Sequence, residues 1–280
     1  MVEPLRRVLV KRPDDVFGSA DPAVWHYTGR PDLAEAQREH DALTEILRAA
    51  GAEVVDHAEP QPGRADAIYV FDPALVTDRG AVILRMGKSL RRGEEAALAR
   101  RFEALGIPIL ATLDGTATAE GGDLLWLDRR TLAVGQGFRT NAEGARQLRE
   151  ALAPLGVEVV PVELPVWTGP EACLHLLSLI SLVDHDLAVV YPPLLSVPFW
   201  LLLRDRGFRL VEVPEEEVPT QGPNVLALAP GKALMLEGNP VTHRRLEEAG
   251  CEVLTYRGRE ISWKAEGGPT CLTRPLWRAG

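Results

Sequence analysis

Two hydrophobic patterns alternate along the chain. In the first, apolar residues at helical spacing stop at a glycine, and a short apolar run follows. Gly51 divides Leu47-Arg48-Ala49-Ala50 from Ala52-Glu53-Val54-Val55, and Gly106, Gly156, Gly207 and Gly250 hold the same place in four more copies. The copies lie roughly fifty residues apart, the period of a repeat architecture. A glycine there predicts a left-handed residue that ends a helix and releases the chain into a strand. The second pattern is a pair of apolar runs across a small turn: 66–71 with 81–84, 122–127 with 131–134, 175–182 with 187–190, and 224–228 with 233–236. A fifth pair joins Cys271-Leu272 to the N-terminal run Arg7-Val8-Leu9-Val10. Each unit reads hairpin, helix, strand. Units this small share a core rather than each burying one. Because both termini look like half of a unit, the expected fold is α/β: a five-bladed pseudo-symmetric propeller of ββαβ repeats. It would be one domain over residues 1–280, with the N- and C-terminal segments completing one shared unit. The competing reading is an open α/β sheet; no GxGxxG or Walker loop supports its nucleotide-binding version.

Composition narrows the class. With 46% hydrophobic and 25% charged residues the chain reads as globular rather than disordered. A formal charge of −9 argues against nucleic acid or an anionic membrane as partner. The N-terminus has no apolar leader pattern, and the apolar stretch 174–203 is broken by His175, Asp184, His185, Asp186 and prolines. Three cysteines, Cys173, Cys251 and Cys271, show no CxxC or zinc spacing, so a reducing cytoplasm is expected.

In a ring, equivalent positions converge on the axis. The starts of the five inner hairpins carry Asp66 (with Asp72), Glu120, His175, Asn224 and Cys271. A thiol, an imidazole and several carboxylates in one pocket suit nucleophilic thiol chemistry on a cationic substrate.

Six blocks then carry a family resemblance: the segment from Asp66 to Asp72, Arg91-Arg92-Gly93-Glu94, Glu120-Gly121-Gly122-Asp123, Arg139-Thr140-Asn141-Ala142-Glu143-Gly144, Leu174-His175-Leu176 with Ser178, and Glu266-Gly267-Gly268-Pro269-Thr270-Cys271-Leu272. In this order they resemble dimethylarginine dimethylaminohydrolase, of the guanidino-group-modifying (amidinotransferase) superfamily with its pentein fold. The resemblance implies a hydrolase that converts an Nω-methylated arginine to citrulline and a methylamine through a covalent Cys S-alkylthiouronium. It implies Cys271 as nucleophile and His175 as general acid, then base. Glu120 and Asp72 would grip guanidinium nitrogens, Arg91 and Arg139 the α-carboxylate, and Asp66 the α-amino group. Tyr69 stands where the family usually has phenylalanine, beside the substrate's alkyl chain. A lid would span about 14–30. No cofactor or metal is expected; the partner is a small guanidino amino acid, and a homodimer is left open as the assembly. The alternatives are an arginine deiminase-like hydrolase or an amidinotransferase, and a non-catalytic propeller that only binds. The lack of a helical insertion weighs against a deiminase.

Several residues have plainer readings. Cys173 and Cys251 are expected in core, His185 at a solvated hairpin turn, Asp123 as a turn hydrogen-bonder, and Glu215-Glu216-Glu217 as a solvated loop. The two glycines after Glu120 are expected to let backbone approach a ligand.

Overall fold

The computed structural model describes residues 1–171 and 174–279. Strand β1 (Leu5–Val10) is followed by two short helices, α1 (Asp15–Gly18) and α2 (Pro22–Trp25), then α3 (Leu33–Ala49) and β2 (Glu53–Asp56). The second unit is β3 (Ala74–Thr77), β4 (Gly80–Ile83), α4 (Glu94–Ala104) and β5 (Ile109–Thr112). The third is β6 (Leu124–Asp128), β7 (Thr131–Gln136), α5 (Ala142–Leu152) and β8 (Glu158–Glu163). The fourth is β9 (Ile180–Asp184), β10 (Leu187–Val190), α6 (Val197–Asp205) and β11 (Arg209–Glu212). The fifth is β12 (Leu226–Ala229), β13 (Lys232–Leu236), α7 (Pro240–Glu248) and β14 (Glu252–Tyr256), and β15 (Arg274–Arg278) closes the chain.

Five three-stranded sheets result, and in each the middle strand runs antiparallel to the first and parallel to the third. The first sheet joins the two ends of the chain: β1 pairs β15, with Val8 opposite Pro275, and pairs β2, with Val8 opposite Val54. The first and last strands of the chain thus lie side by side in one sheet. The glycine device expected from the sequence is present, since Gly51, Gly106, Gly156, Gly207 and Gly250 all have positive φ, between 70° and 97°. The helices cover the sheets from outside: Leu43 and Leu47 of α3 are fully buried in one cluster with Val8 and Val10. Each such leucine contributes about 1.5–3 kcal/mol by leaving water. The inner strands β15, β3, β6, β9 and β12 surround the pseudo-symmetry axis, and one axial cavity touches all five. Among the described residues no helix is long and apolar enough to cross a membrane.

Two details differ from the sequence reading. The run 66–71 is no strand: Ala65–Ile68 forms a 3-10 turn, and β3 starts only at Ala74. Its backbone groups are taken by the site instead of a neighbouring strand. Arg91 donates to the Tyr69 carbonyl and the Phe71 N–H donates to the Cys271 carbonyl. An apolar run buried on all sides has no period that would reveal this. The second difference is Glu217, which is buried and accepts from Val241 N at 2.7 Å, Thr242 N at 2.8 Å and the Thr242 hydroxyl at 2.6 Å. It caps α7, satisfying helix N–H groups that would otherwise lack partners. Cys251 is in the core and His185 is exposed at the β9–β10 turn. Cys173 lies outside the described residues.

Candidate active site

The residues just before the five inner strands meet at one end of the axis. Asp66, Tyr69, Asp72, Arg91, Arg139, His175 and Cys271 all line one cavity of about 60 Å3, with Glu120 directly behind His175. Five residues approach it from the same place in their blades: Asp72 precedes β3, Glu120 precedes β6, His175 precedes β9, Asn224 precedes β12 and Cys271 precedes β15, whereas Arg91 and Arg139 follow β4 and β7. Trp25 and His26 from the segment after β1 form another wall, and Glu266 and Gly267 a further one.

Glu120 is the hub. One carboxylate oxygen lies 2.7 Å from His175 Nε2 and 3.4 Å from Arg139 Nη1, while the other accepts the Lys88 N–H at 2.8 Å. Full burial works to raise its pKa, but the His175 hydrogen bond and charge, and then Arg139 and Arg91, outweigh burial and hold it well below the usual carboxylate range. Glu120 is thus an anion whose hydrogen bond sets the imidazole's orientation. Asp123 supports this arrangement from behind, accepting from Thr140 Oγ1 at 2.6 Å and from Leu176 N at 3.0 Å. Burial pushes its carboxyl up to about 6. The glycines after Glu120 make room for protein, not for a ligand as the sequence suggested. A side chain at Gly122 would collide with the His175 ring, and one at Gly121 with the Phe71 carbonyl.

The opposite wall holds two buried charge pairs. Arg91 is 3% exposed and lies between carboxylates: Nη1 is 2.5 Å from Asp72, and Nε and Nη2 engage Glu94 at 3.1 and 2.7 Å. One of the two arginines expected to receive a substrate carboxylate is therefore already engaged by protein carboxylates. Asp72 also accepts from Gly122 N at 2.9 Å. Asp66 is engaged as well, by the Tyr27 hydroxyl at 2.7 Å and by Lys88 Nζ at 2.6 Å. Burial and then the Asp66 charge push the Tyr27 hydroxyl well above its ordinary value, so it stays a donor. Tyr69 reaches across the pocket to the Ile261 carbonyl at 2.9 Å, and Gly267 is needed because any side chain there would enter the Tyr69 ring.

Sequence reasoning placed Asn224 at the axis without a role and missed Lys88. Asn224 Nδ2 donates to Cys271 Sγ at 3.3 Å while its Oδ1 accepts from Thr270 N, so it both positions the sulfur and polarises it. Its place in the repeat was visible, but an asparagine beside a thiol carries no motif of its own. Lys88, three residues before Arg91, lies over the Trp25 ring and occupies Asp66. Nothing in the run Met86-Gly87-Lys88-Ser89 distinguishes it from a surface lysine.

A five-bladed α/β propeller with cysteine, histidine and carboxylates at one end of its axis defines a guanidino-modifying hydrolase. The arginine deiminase family model matches residues 65–204 and 199–278, and the chain belongs to that family. It is 32% identical to the N(G),N(G)-dimethylarginine dimethylaminohydrolase of Streptomyces coelicolor, over 96% of each chain. The fold superposes on a cysteine-to-serine variant of the Pseudomonas aeruginosa dimethylarginine dimethylaminohydrolase complexed with citrulline, with a TM-score of 0.81 and 25% identity over 96% of this chain and 98% of that one. It also superposes on the N-terminal domain of ArgZ, a cyanobacterial arginine dihydrolase, with a TM-score of 0.83 and 23% identity over 99% and 98% of the two chains, a likeness of fold. The chain is accordingly an amidinohydrolase, acting on C–N bonds.

Proposed function

We propose that this amidinohydrolase removes the alkylated nitrogen of an Nω-methylated arginine, giving citrulline and a methylamine. Cys271 sulfur attacks the guanidinium carbon, and His175 gives a proton to the departing methylamine as the C–N bond breaks. The S-alkylthiouronium so formed is attacked by water, which loses a proton to the same imidazole. The C–S bond then breaks, the remaining hydroxyl proton passes through solvent to the released amine as citrulline's carbonyl forms, and the thiolate is restored. One water is consumed, and no oxidant or cofactor enters.

The observation that carries this reading is the 2.7 Å contact between Glu120 and His175 Nε2 beside a cavity that also contains Cys271. A carboxylate held ionised against the ring fixes the orientation of the imidazole, whose protonated form gives a proton to a leaving amine. Asn224 supplies a hydrogen bond to the sulfur. Arg139 is the carboxylate-binding guanidinium of this reading, with Arg91 behind Asp72 as its partner. The long relatives named dimethylarginine dimethylaminohydrolase support the methylated substrate.

The second reading is hydrolysis of unmethylated arginine, favoured by the family model itself and by the small volume beside Cys271. Citrulline and amine release from arginine, monomethylarginine, asymmetric dimethylarginine and agmatine separates the two. The expected outcome is turnover of the methylated substrates above arginine, with agmatine poor because it brings no carboxylate to Arg139. Faster turnover of arginine than of either methylated form replaces the first reading by the second, and no release from any of the four removes both.

A further inference from the structure

A second cavity lies along the axis. At the end away from Cys271, the inner strands enclose a cavity of about 280 Å3, larger than the front pocket. Its walls include Leu75, Leu124, Trp126 and Leu182, and its floor includes Phe71 and Arg274. Arg278 and the first residue, Met1, close one side.

Of the cations here Arg274 is buried and Arg278 half-buried, and neither forms an ion pair within 4.0 Å among the described residues. Arg274 is 4% exposed; Nη1 donates to the Ala74 carbonyl at 2.6 Å, and the guanidinium lies 3.6 Å over the Phe71 ring. Its Nε is buried with no partner, Nη2 makes no hydrogen bond among the described residues, and no carboxylate is within 4.0 Å. Arg278 donates to two backbone carbonyls, those of Glu3 and Ala227, and feels the Glu3 charge without a direct ion pair among the described residues. Burial lowers both guanidiniums, Arg274 to about 9 and Arg278 to about 10, and the Met1 amine to about 6. The acidic residues at this cavity are engaged or peripheral. Glu3 lies 3.5 Å from Arg129, Asp128 lies 2.6 Å from Arg206, and Asp78 is exposed. Asp72 is the one acid that raises Arg274, and it is bound to Arg91.

A guanidinium does not give up its proton in a protein, so burying one without an anion is costly. The aromatic face offsets about 1–2 kcal/mol of that cost. A carboxylate would engage the remaining Nη2 in a charge-assisted hydrogen bond, and the leucine and tryptophan walls suit an apolar body rather than a heavily hydrated phosphate. We infer that the rear axial cavity is a second small-molecule site, taking a monocarboxylate with a compact apolar body on Arg274 and Arg278.

The test titrates hexanoate and its neutral isostere hexanamide into the full chain by calorimetry, with Trp126 and Trp277 fluorescence as a second readout from the cavity wall. The expected result is saturable hexanoate binding at least roughly tenfold tighter than hexanamide. Arg274→Met should weaken it by a similar factor, and Arg139→Ala in the front pocket should leave it unchanged. Arg274→Lys, which keeps a charge but loses the planar guanidinium, should fall between. If Arg274→Met does not fold, the acid–amide contrast on the unaltered chain and the lysine variant still decide. Equal affinity for acid and amide overturns the site, as does loss in Arg139→Ala instead of Arg274→Met. Sedimentation showing two copies closed over the cavity overturns it in favour of an interface between copies.

Discussion

Arg91 and Arg274 are both buried guanidiniums facing the same axis, and they are neutralised in opposite ways. Arg91 lies between Asp72 and Glu94 with a carbonyl completing its contacts. Arg274 has one carbonyl and one aromatic ring. At the front end charge meets charge, which fixes side-chain positions tightly enough for chemistry. At the rear end the charge is only partly compensated, which leaves capacity for an anion. The same fold thus makes a pre-organised site at one end of the axis and an incomplete one at the other.

The largest expected effect separates the two ends by function. Cys271→Ser should lower turnover by at least about a thousandfold, because a neutral hydroxyl is a far weaker nucleophile. Arg274→Met should leave turnover within a few-fold. Steady-state citrulline release measures both, and comparable losses would show that the ends do not act separately.

Stability should rank the two arginines in the same order. Arg91→Met leaves Asp72 and Glu94 buried without their cation and should cost about 3–5 kcal/mol. Arg274→Met removes an uncompensated charge and should cost about 1 kcal/mol or less. Urea unfolding of the two variants checks this; a larger loss at Arg274 would mean that its ring and carbonyl contacts compensate it fully.

A control away from both ends comes from His40 on α3, which is buried with neither ring nitrogen partnered. Burial lowers its pKa to about 4, so the folded state refuses a proton that the unfolded chain accepts near 6.5. Its contribution is full above pH 6.5 and is lost as pH falls toward 4, on the order of 2–3 kcal/mol in all. His40→Leu should flatten that part of the pH–stability curve. An unchanged curve would assign the acid sensitivity to the front-end carboxylates instead.

The smallest effect concerns Lys88, whose ammonium fills the carboxylate of Asp66. Lys88→Met frees Asp66 for a substrate's α-ammonium. The kcat/KM ratio of arginine-type substrates over guanidino acids lacking the α-amino group should rise about tenfold, the worth of one charge-assisted pair. A constant ratio would mean that Asp66 does not contact this part of the substrate.

Much of this was legible because the repeat is legible. Five glycines ending five helices predicted the blades. Position within the repeat puts Asp66, Asp72, Glu120, His175 and Cys271 at equivalent places around the axis. Glu217 was misread as solvated because a capping carboxylate looks, in sequence, like any acid in a loop. The run 66–71 was misread because burial on all sides erases the strand period.

What the sequence by itself determined is the set of things encoded locally or by periodicity: where helices stop, which strands pair, and which residues stand at the axis. Tertiary structure decided the pairings across blades. That Arg91 faces Asp72, that Lys88 takes Asp66, that Asn224 meets Cys271, and that Arg274 meets no acid depend on side-chain directions from segments up to 200 residues apart. A charge in a sequence has no partner until the fold gives it a neighbour and removes its water.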